Sequence, residues 1–408
     1  MTTPDTTDAQ SATGQTRAGL LTAVLCFVVI LLDGYDTGVV SYAAPTLARE
    51  WHVTAAAFTP AFVATSLGAV IGYISCGRLA ARFGHRRLVL ASVAFFGTMS
   101  LVSLLASDMA SLTVLRFVTA LGLGGAIPTA IALAASHATP AQRERTASIV
   151  TVGIVFGTTI GGYVAVPLLQ RFGWQGPFVL GGVAPLLAVP VLYVWLADAP
   201  VRGGSGSARA LFAGGLAGST ILLWAMALLS FMQSYSFTYW LPLLLTSFGF
   251  DRATAALGNT YTGMGTIAGV LLMALVVGRV GSARYLCAAF ATGACLVLLF
   301  AWAHPSNAVV PALLVLCGSM LGIGGVGQAA IASMLYPAAL RTNGVGWSSA
   351  MGRIGSIFGP GIAGFFLQLN WPAGDIIALA AVPALGASAA ALAIHLRARG
   401  RVQQEHAA

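Results

Sequence analysis

The sequence contains no lysine and very little charge of any kind. Only 8% of its 408 residues are charged and 58% are hydrophobic, whereas an average soluble domain has about 25% charged residues. Without lysine there is no Gly-Lys-Ser/Thr phosphate-binding loop, which argues against transport or catalysis driven by ATP. The five cysteines lie in apolar runs without metal-ligand spacing, so neither a zinc site nor a disulfide framework is indicated.

Twelve apolar segments hold most of the hydrophobic residues, and each is long enough to cross a bilayer as a helix. The first cannot be a cleaved signal peptide, because it is too long for an apolar signal core and carries two acids. We therefore expect an all-α membrane protein, preceded by a disordered cytoplasmic tail over residues 1–17. The segments are predicted near residues 19–41, 55–80, 88–107, 111–136, 147–170, 175–197, 214–242, 252–278, 284–303, 307–334, 345–369 and 375–396.

The arginines give the orientation. All twenty basic residues are arginine, and the formal net charge is +9. With both termini placed inside, fifteen arginines fall on the inside and only Arg49, Arg171 and Arg252 fall on the outside. Because arginine-rich connections stay in the cytoplasm, both termini are predicted to be cytoplasmic. The charge thus indicates membrane topology and not a nucleic-acid surface.

The second half of the chain repeats patterns of the first. Leu121 to Gly125 recurs as Leu321 to Gly325, and Arg82-Phe83-Gly84 is echoed by Arg279-Val280-Gly281. A third echo relates Gly157 to Gly359 at nearly the same offset. Two repeats of this kind are typical of secondary transporters. The predicted organisation is a tail (1–17), a six-helix bundle (18–197), a Gly/Ser-rich cytoplasmic linker (198–213), a second six-helix bundle (214–396) and a cytoplasmic tail (397–408).

Two acids interrupt the first apolar segment. Asp33 and Asp36 are three residues apart and share one helical face, and an acid at membrane depth costs about 2.5–3.5 kcal/mol on insertion scales. Arg116 in the fourth segment is expected at the same depth, facing one of them. Protonating a carboxylate would free this pair, which is a simple basis for proton coupling. We expect Asp36 to sense the proton and Asp33 to form the resting pair; the alternative is that the acids only join two helices.

These features resemble the major facilitator superfamily, and within it the aromatic acid:proton symporter family of bacterial inner membranes. The resemblance covers nearly the whole chain. It is carried by Asp33-Gly34-Tyr35-Asp36-Thr37, Ala44-Pro45, Gly77 to Arg86, Arg116-Phe117, Gly122 to Pro128, Tyr336-Pro337, Gly344 to Trp347, Gly352 to Gly355 and Gly359-Pro360.

The resemblance implies two pseudo-symmetric six-helix halves and uptake of an aromatic or related organic acid with protons. It implies a location in the bacterial inner membrane and transport driven by the proton gradient. We expect the transporter to work as a monomer, without a cofactor and without a nucleic-acid partner. The loop after the second helix would form a conformational gate, through Gly77, Arg82, Gly84 and Arg86. Its usual acid is replaced by Ala81, and by Gly278 in the second copy, which puts the usual latch in doubt. The arginines there could bind helix carboxyl-terminal carbonyls or lipid headgroups.

An aromatic acid needs flat apolar walls and a few polar contacts. Arg353, a charged residue deep in the eleventh segment, either binds the substrate carboxylate or closes an inner gate. Tyr239 and Trp240 are assigned to the interfacial aromatic belt. The other candidate substrate contacts are Gln328, Tyr35, Tyr235, Asn259 and Tyr261.

Two other functions compete with uptake. Proton-driven efflux of drugs or metabolites is suggested by Gly153, Gly157 and Gly161-Gly162, although Thr158 stands where the antiporter pattern has proline. A receptor or scaffold is disfavoured, because the soluble parts are too short for a signalling domain.

Overall fold

The structure, a computed structural model, describes residues 6–139, 142–198, 208–252, 254–303, 306–337 and 340–407. This part of the chain is helical, without strands, and contains twelve helices long and apolar enough to cross a membrane. We label them α1 (Gly19–Glu50), α2 (Ala55–Phe83), α3 (His85–Leu105), α4 (Met109–Ser136), α5 (Arg145–Phe172), α6 (Gln175–Trp195), α7 (Ala217–Phe248), α8 (Thr254–Val280), α9 (Ser282–Trp302), α10 (Val310–Leu335), α11 (Asn343–Gln368) and α12 (Ala373–Arg399).

The twelve predicted spans are confirmed, and the largest difference lies at the end of α1. This helix continues from the expected end at residue 41 to Glu50, with Pro45 inside it. Tyr42, Ala44 and Leu47 are completely buried, so the extension is stabilised by packing that the sequence pattern does not reveal. Proline is tolerated in such helices when neighbouring groups satisfy the freed carbonyl.

The expectation of a disordered amino-terminal tail is wrong for residues 6–17. These residues continue the first helix, which runs from Thr6 to Glu50. Nucleation is the costly step of helix formation, and extending an existing helix is comparatively easy. Residues 1–5 lie outside the described residues, as does the Gly/Ser-rich centre of the expected linker, residues 203–207.

The repeat appears in the backbone as the same turn after α2 and after α8. Gly84 has a φ angle of 85° and Gly281 has a φ angle of 84°. Residues that carry a Cβ atom rarely adopt this backbone conformation. The Gly84 N–H donates to the carbonyl of Ala80 at 2.9 Å, and that of Gly281 donates to Val277 at 2.8 Å. The echo seen in the sequence is therefore a structural repeat.

Close helix crossings repeat as well. A Cβ atom on Gly157 of α5 would overlap the carbonyl of Leu31 on α1. In the second copy, a Cβ atom on Gly359 of α11 would overlap the carbonyl of Met232 on α7. Small residues let membrane helices approach to backbone contact, so the third sequence echo marks an equivalent crossing in each copy.

The chain packs into two compact units that do not follow the sequence repeat. Among the described residues, one unit contains those within 1–39, 67–158 and 177–203, and the other contains those within 40–66, 159–176 and 204–408. The second unit thus includes the ends of α1 and α2 that flank the connection at residues 51–54. The boundary at residues 198–213 concerns the repeat and stays a prediction.

Candidate functional site

A buried ion pair joins α1 to α4. The Arg116 Nη2 atom lies 2.7 Å from Oδ2 of Asp36, and both side chains are fully buried. The same nitrogen donates to the backbone carbonyl of Asp36 at 3.1 Å, and the Ser100 hydroxyl of α3 donates to Asp36 Oδ1 at 2.7 Å. The predicted pairing of Arg116 with one of the two acids is confirmed. The further expectation that Asp33 forms this pair is wrong, because the guanidinium reaches the carboxylate one turn further along α1.

Asp33 lies beside this pair on the same helix. Its side chain is 1% exposed, and the Thr37 hydroxyl is 3.5 Å from its Oδ1 atom. With both acids ionised, Asp33, Asp36 and Arg116 would together carry a charge of −1, and one bound proton makes them neutral. A buried net charge is costly, so this group of three side chains is suited to exchanging a proton.

Small residues create the space in which Asp36 is held. A Cβ atom on Gly34 would overlap the backbone of Ile154, which brings α5 against α1. A Cβ atom on Gly181 of α6 would lie 3.2 Å from Asp36 Oδ1 and 3.1 Å from the Ser100 hydroxyl. Sequence reasoning missed Ser100 and Gly181, because a lone serine or glycine in an apolar helix carries no distinguishing signal.

Tyr35, a predicted substrate contact, is hydrogen-bonded to α6. Its hydroxyl donates to the carbonyl of Pro177 in the first turn of α6 at 2.9 Å, and the residue is 7% exposed. In this conformation it therefore ties α6 to α1 beside the ion pair. Its predicted contact with substrate stays a prediction.

A second cationic group lies on α11. Arg353 is partly exposed, and its Nη1 atom donates to the hydroxyl of Tyr235 on α7 at 2.7 Å. The guanidinium carbon lies 6.0 Å from the centroid of the Tyr235 ring. The ring of Phe231, one turn away, stacks on Tyr235 with centroids 6.0 Å apart and an interplanar angle of 17°. The structure thus combines a cation with two flat aromatic faces, and sequence reasoning missed Phe231.

The amide candidates connect helices. Gln328 of α10 donates through Nε2 to the hydroxyl of Ser349 on α11 at 3.1 Å. Asn259 of α8 donates to the carbonyl of Thr238 on α7 at 3.0 Å and to the hydroxyl of Ser41 on α1 at 3.3 Å. Both amides are nearly fully buried. Tyr261, the remaining candidate, is partly buried on α8.

Tyr239 and Trp240 do not belong to an interfacial belt. They are 2% and 1% exposed, and the indole Nε1 of Trp240 donates to the carbonyl of Pro360 on α11 at 3.0 Å. Both rings also pack against Phe62 of α2. The belt assignment is therefore wrong, because a neighbouring helix covers these rings where lipid headgroups were expected.

The first turn of α3, directly after the connection to α2, is held to α6. The Arg86 guanidinium donates to the carbonyl of Tyr193 in the last turn of α6 and lies 5.5 Å from the ring centroid of that residue. This confirms that an arginine of the predicted loop binds a helix carboxyl-terminal carbonyl. Arg82 is exposed over the ring of Phe83, and a Cβ atom on Gly77 would meet no atom within 4 Å. Their predicted gating role stays a prediction.

Comparisons with known proteins agree with this architecture. The model of the Major Facilitator Superfamily matches residues 26–284 and residues 223–408. The chain is 31% identical over 395 residues to the 3-(3-hydroxy-phenyl)propionate transporter of Escherichia coli (strain K12), covering 94% of this chain and 96% of that protein. It is 28% identical over 417 residues to the 4-hydroxybenzoate transporter PcaK of Acinetobacter baylyi, covering 92% and 90%. The crystal structure of a point mutant of the nucleoside transporter NupG shares the fold with a TM-score of 0.75 at 12% identity, covering 92% of this chain and 99% of that one.

Proposed function

Since the chain belongs to the Major Facilitator Superfamily and is a membrane transporter and not an enzyme, we propose that it takes up an aromatic acid together with protons. The observation that carries this proposal is the Arg353 group, in which a partly exposed guanidinium lies beside the stacked rings of Phe231 and Tyr235. The source of energy is the proton gradient across a bacterial inner membrane, and the transporter works as a monomer with both termini in the cytoplasm.

The chemistry of the Arg353 group fits the proposed substrate. A guanidinium binds carboxylates through charge-assisted hydrogen bonds, and aromatic rings favour offset-stacked or edge-to-face contacts with other rings. The two relatives described above are transporters of 3-(3-hydroxyphenyl)propionate and 4-hydroxybenzoate. Each of these compounds joins a hydroxylated ring to a carboxylate, so the same two contacts would hold either of them.

Proton coupling is assigned to Asp33, Asp36 and Arg116. Protonation of Asp36 removes the charge that the guanidinium faces and leaves Asp33, one turn away on α1, as the ionised carboxylate of the group, so Arg116 is stabilised by moving towards it. The pair therefore favours a different arrangement of α1 and α4 when the proton is bound. This links the occupancy of a proton site to a helix movement, which is what coupled transport requires.

Alternating access is supported by the repeats and by contacts at the Glu50 end of α1. Equivalent crossings of α1 with α5 and of α7 with α11 are the mark of paired repeats in transporters. The Ser41 hydroxyl of α1 donates to the backbone carbonyl of Thr238 on α7 at 2.6 Å. The Ser66 hydroxyl of α2 donates to the backbone carbonyl of Ser356 on α11 at 2.8 Å. We propose that these contacts form and separate during each transport cycle.

Uptake into proteoliposomes tests the proposal. Labelled 4-hydroxybenzoate and 3-(3-hydroxyphenyl)propionate are supplied outside while the interior is buffered at higher pH. Accumulation above the external concentration, abolished by a protonophore, is the expected result. Accumulation that survives the protonophore would argue against proton symport, and uptake driven only by an outward proton gradient would favour the antiport direction required for efflux. Aliphatic acids of similar length serve as competitors, and they should compete poorly.

A further inference from the structure

Four aromatic side chains form a continuous contact from α2 into α7, and we call Phe62, Tyr235, Tyr239 and Trp240 the aromatic stack. Phe62 lies parallel to Tyr239 with centroids 4.9 Å apart and an interplanar angle of 3°. It meets Trp240 edge-on, also at 4.9 Å. Tyr239 in turn meets Tyr235 at 5.7 Å and 72°. Phe62, Tyr239 and Trp240 are buried, so the position of each ring depends on its neighbours.

Tyr235, the partly exposed member of the aromatic stack, is also the partner of Arg353. The Tyr235 hydroxyl accepts from Arg353 Nη1 at 2.7 Å, a donor–acceptor distance that a carboxylate oxygen would also adopt. A carboxylate that binds in a bidentate manner across Nη1 and Nη2 would need the nitrogen that now donates to the tyrosine. In that binding mode the tyrosine hydroxyl and a substrate carboxylate compete for Arg353.

We propose that Tyr235 is a positioning residue that helps to expel the substrate from Arg353. When Phe62 of α2 stacks on Tyr239 of α7, the ring of Tyr235 is fixed so that its hydroxyl takes the place of the substrate carboxylate. Contact between α2 and α7 is thereby linked to weaker binding of the substrate by Arg353. The proposal rests on the proposed function, because it takes Arg353 as the group that binds the carboxylate.

Replacing Tyr235 by phenylalanine isolates the hydroxyl. Phenylalanine keeps the ring and its contacts with Phe231 and Tyr239, and it removes only the oxygen that competes for Arg353. Substrate should then bind more tightly and leave more slowly. If Tyr235 were instead a direct substrate contact, the same change would weaken binding. A residue that only fills space would change neither quantity.

The experiment measures the Kd of the purified transporter and its turnover number in proteoliposomes, using whichever of the two labelled aromatic acids is accumulated better. Because Tyr235→Phe removes a competing hydrogen bond to a charged group, it should lower the Kd about tenfold. The turnover number should fall by a similar factor, since the substrate leaves more slowly. Tyr163→Phe is the matched control, because Tyr163 is 69% exposed on α5. The Kd and the turnover number of this variant should equal those of the wild type. An unchanged or higher Kd for Tyr235→Phe overturns the proposal.

Phe62→Leu gives a second, independent test should Tyr235→Phe fail to fold. It removes the stacking partner of Tyr239 without altering any group near Arg353, so a lower Kd supports the link between the aromatic stack and substrate release. An unchanged Kd contradicts that link. Failure of this inference differs from failure of the proposed function, in which the wild-type protein would accumulate no aromatic acid at all.

Discussion

Neutralising Asp36 is the sharpest test of proton coupling. At 2.7 Å and an effective dielectric constant of about 20, the attraction between Asp36 and Arg116 is about 6 kcal/mol, and part of this offsets the cost of burying both charges. Removing one partner of a buried pair typically costs about 3–5 kcal/mol, because the remaining charge is left uncompensated. Asp36→Asn retains the size of the side chain and an oxygen that can accept from Ser100. It therefore imitates a carboxyl group that is permanently protonated.

The expected result for Asp36→Asn separates coupling from binding. Accumulation of labelled aromatic acid under an inward proton gradient should disappear, because the variant cannot alternate between protonated and ionised forms. Exchange of internal for external substrate, which needs no net proton movement, should persist at a measurable rate. The unfolding temperature of the purified protein should fall, because Arg116 has lost its ionic partner.

Two further variants establish which effect is responsible. Asp36→Asn combined with Arg116→Gln removes both charges, so thermal stability should recover while accumulation stays absent. Asp108→Asn is the matched control, since Asp108 is the exposed amino-terminal cap of α4 and asparagine caps helices equally well. Wild-type accumulation by Asp36→Asn, or by the double variant, would refute the assignment of the proton site to this pair.

Two more predictions concern the second unit. Arg353→Gln should raise the KM for aromatic acids about 10- to 100-fold, because a charge-assisted hydrogen bond is worth about 1.5–3 kcal/mol. Uptake kinetics measure the KM, and the exposed Arg171→Gln serves as the control. An unchanged KM would exclude Arg353 from the substrate site. Gly359→Ala should lower the unfolding temperature by several degrees, because its Cβ would overlap the carbonyl of Met232. Gly346→Ala in the same helix, where a Cβ meets nothing within 4 Å, should leave the unfolding temperature unchanged, and equal effects of the two changes would contradict the close crossing.

The number of helices could be predicted because length and apolarity alone decide whether a segment can cross a bilayer. Their ends are governed by other interactions. The sequence pattern predicts that the first segment ends near residue 41, yet burial of Tyr42 and Leu47 carries the helix on to Glu50 with Pro45 inside it. Tertiary packing therefore overrides the local preference of proline against a helix interior here.

The buried pair was predictable as a type of interaction but not in detail. Counting residues from the helix ends places both acids and Arg116 at a similar depth in the membrane. An isolated charge is energetically costly there, so a partner of opposite charge is expected. The choice between Asp33 and Asp36 depends on the rotation of α1 about its axis. Gly34 of α1 and Gly181 of α6 mark where neighbouring helices approach this side of α1 closely, and sequence patterns do not show such approaches.

Contacts that differ between conformations are the hardest to read from sequence. The glycine crossings of α1 with α5 and of α7 with α11 appear as an echo because the two copies of the repeat share this internal packing. The stacking of Phe62 on Tyr239 joins α2 to α7, and under the proposed mechanism it need exist only while substrate is being released. Tyr239 and Trp240 carry the amphipathic rings that also suit a lipid interface, so composition alone cannot distinguish an interface with lipid from one with a moving helix. Residues that govern release are therefore to be sought among buried aromatic side chains that no repeat pattern accounts for.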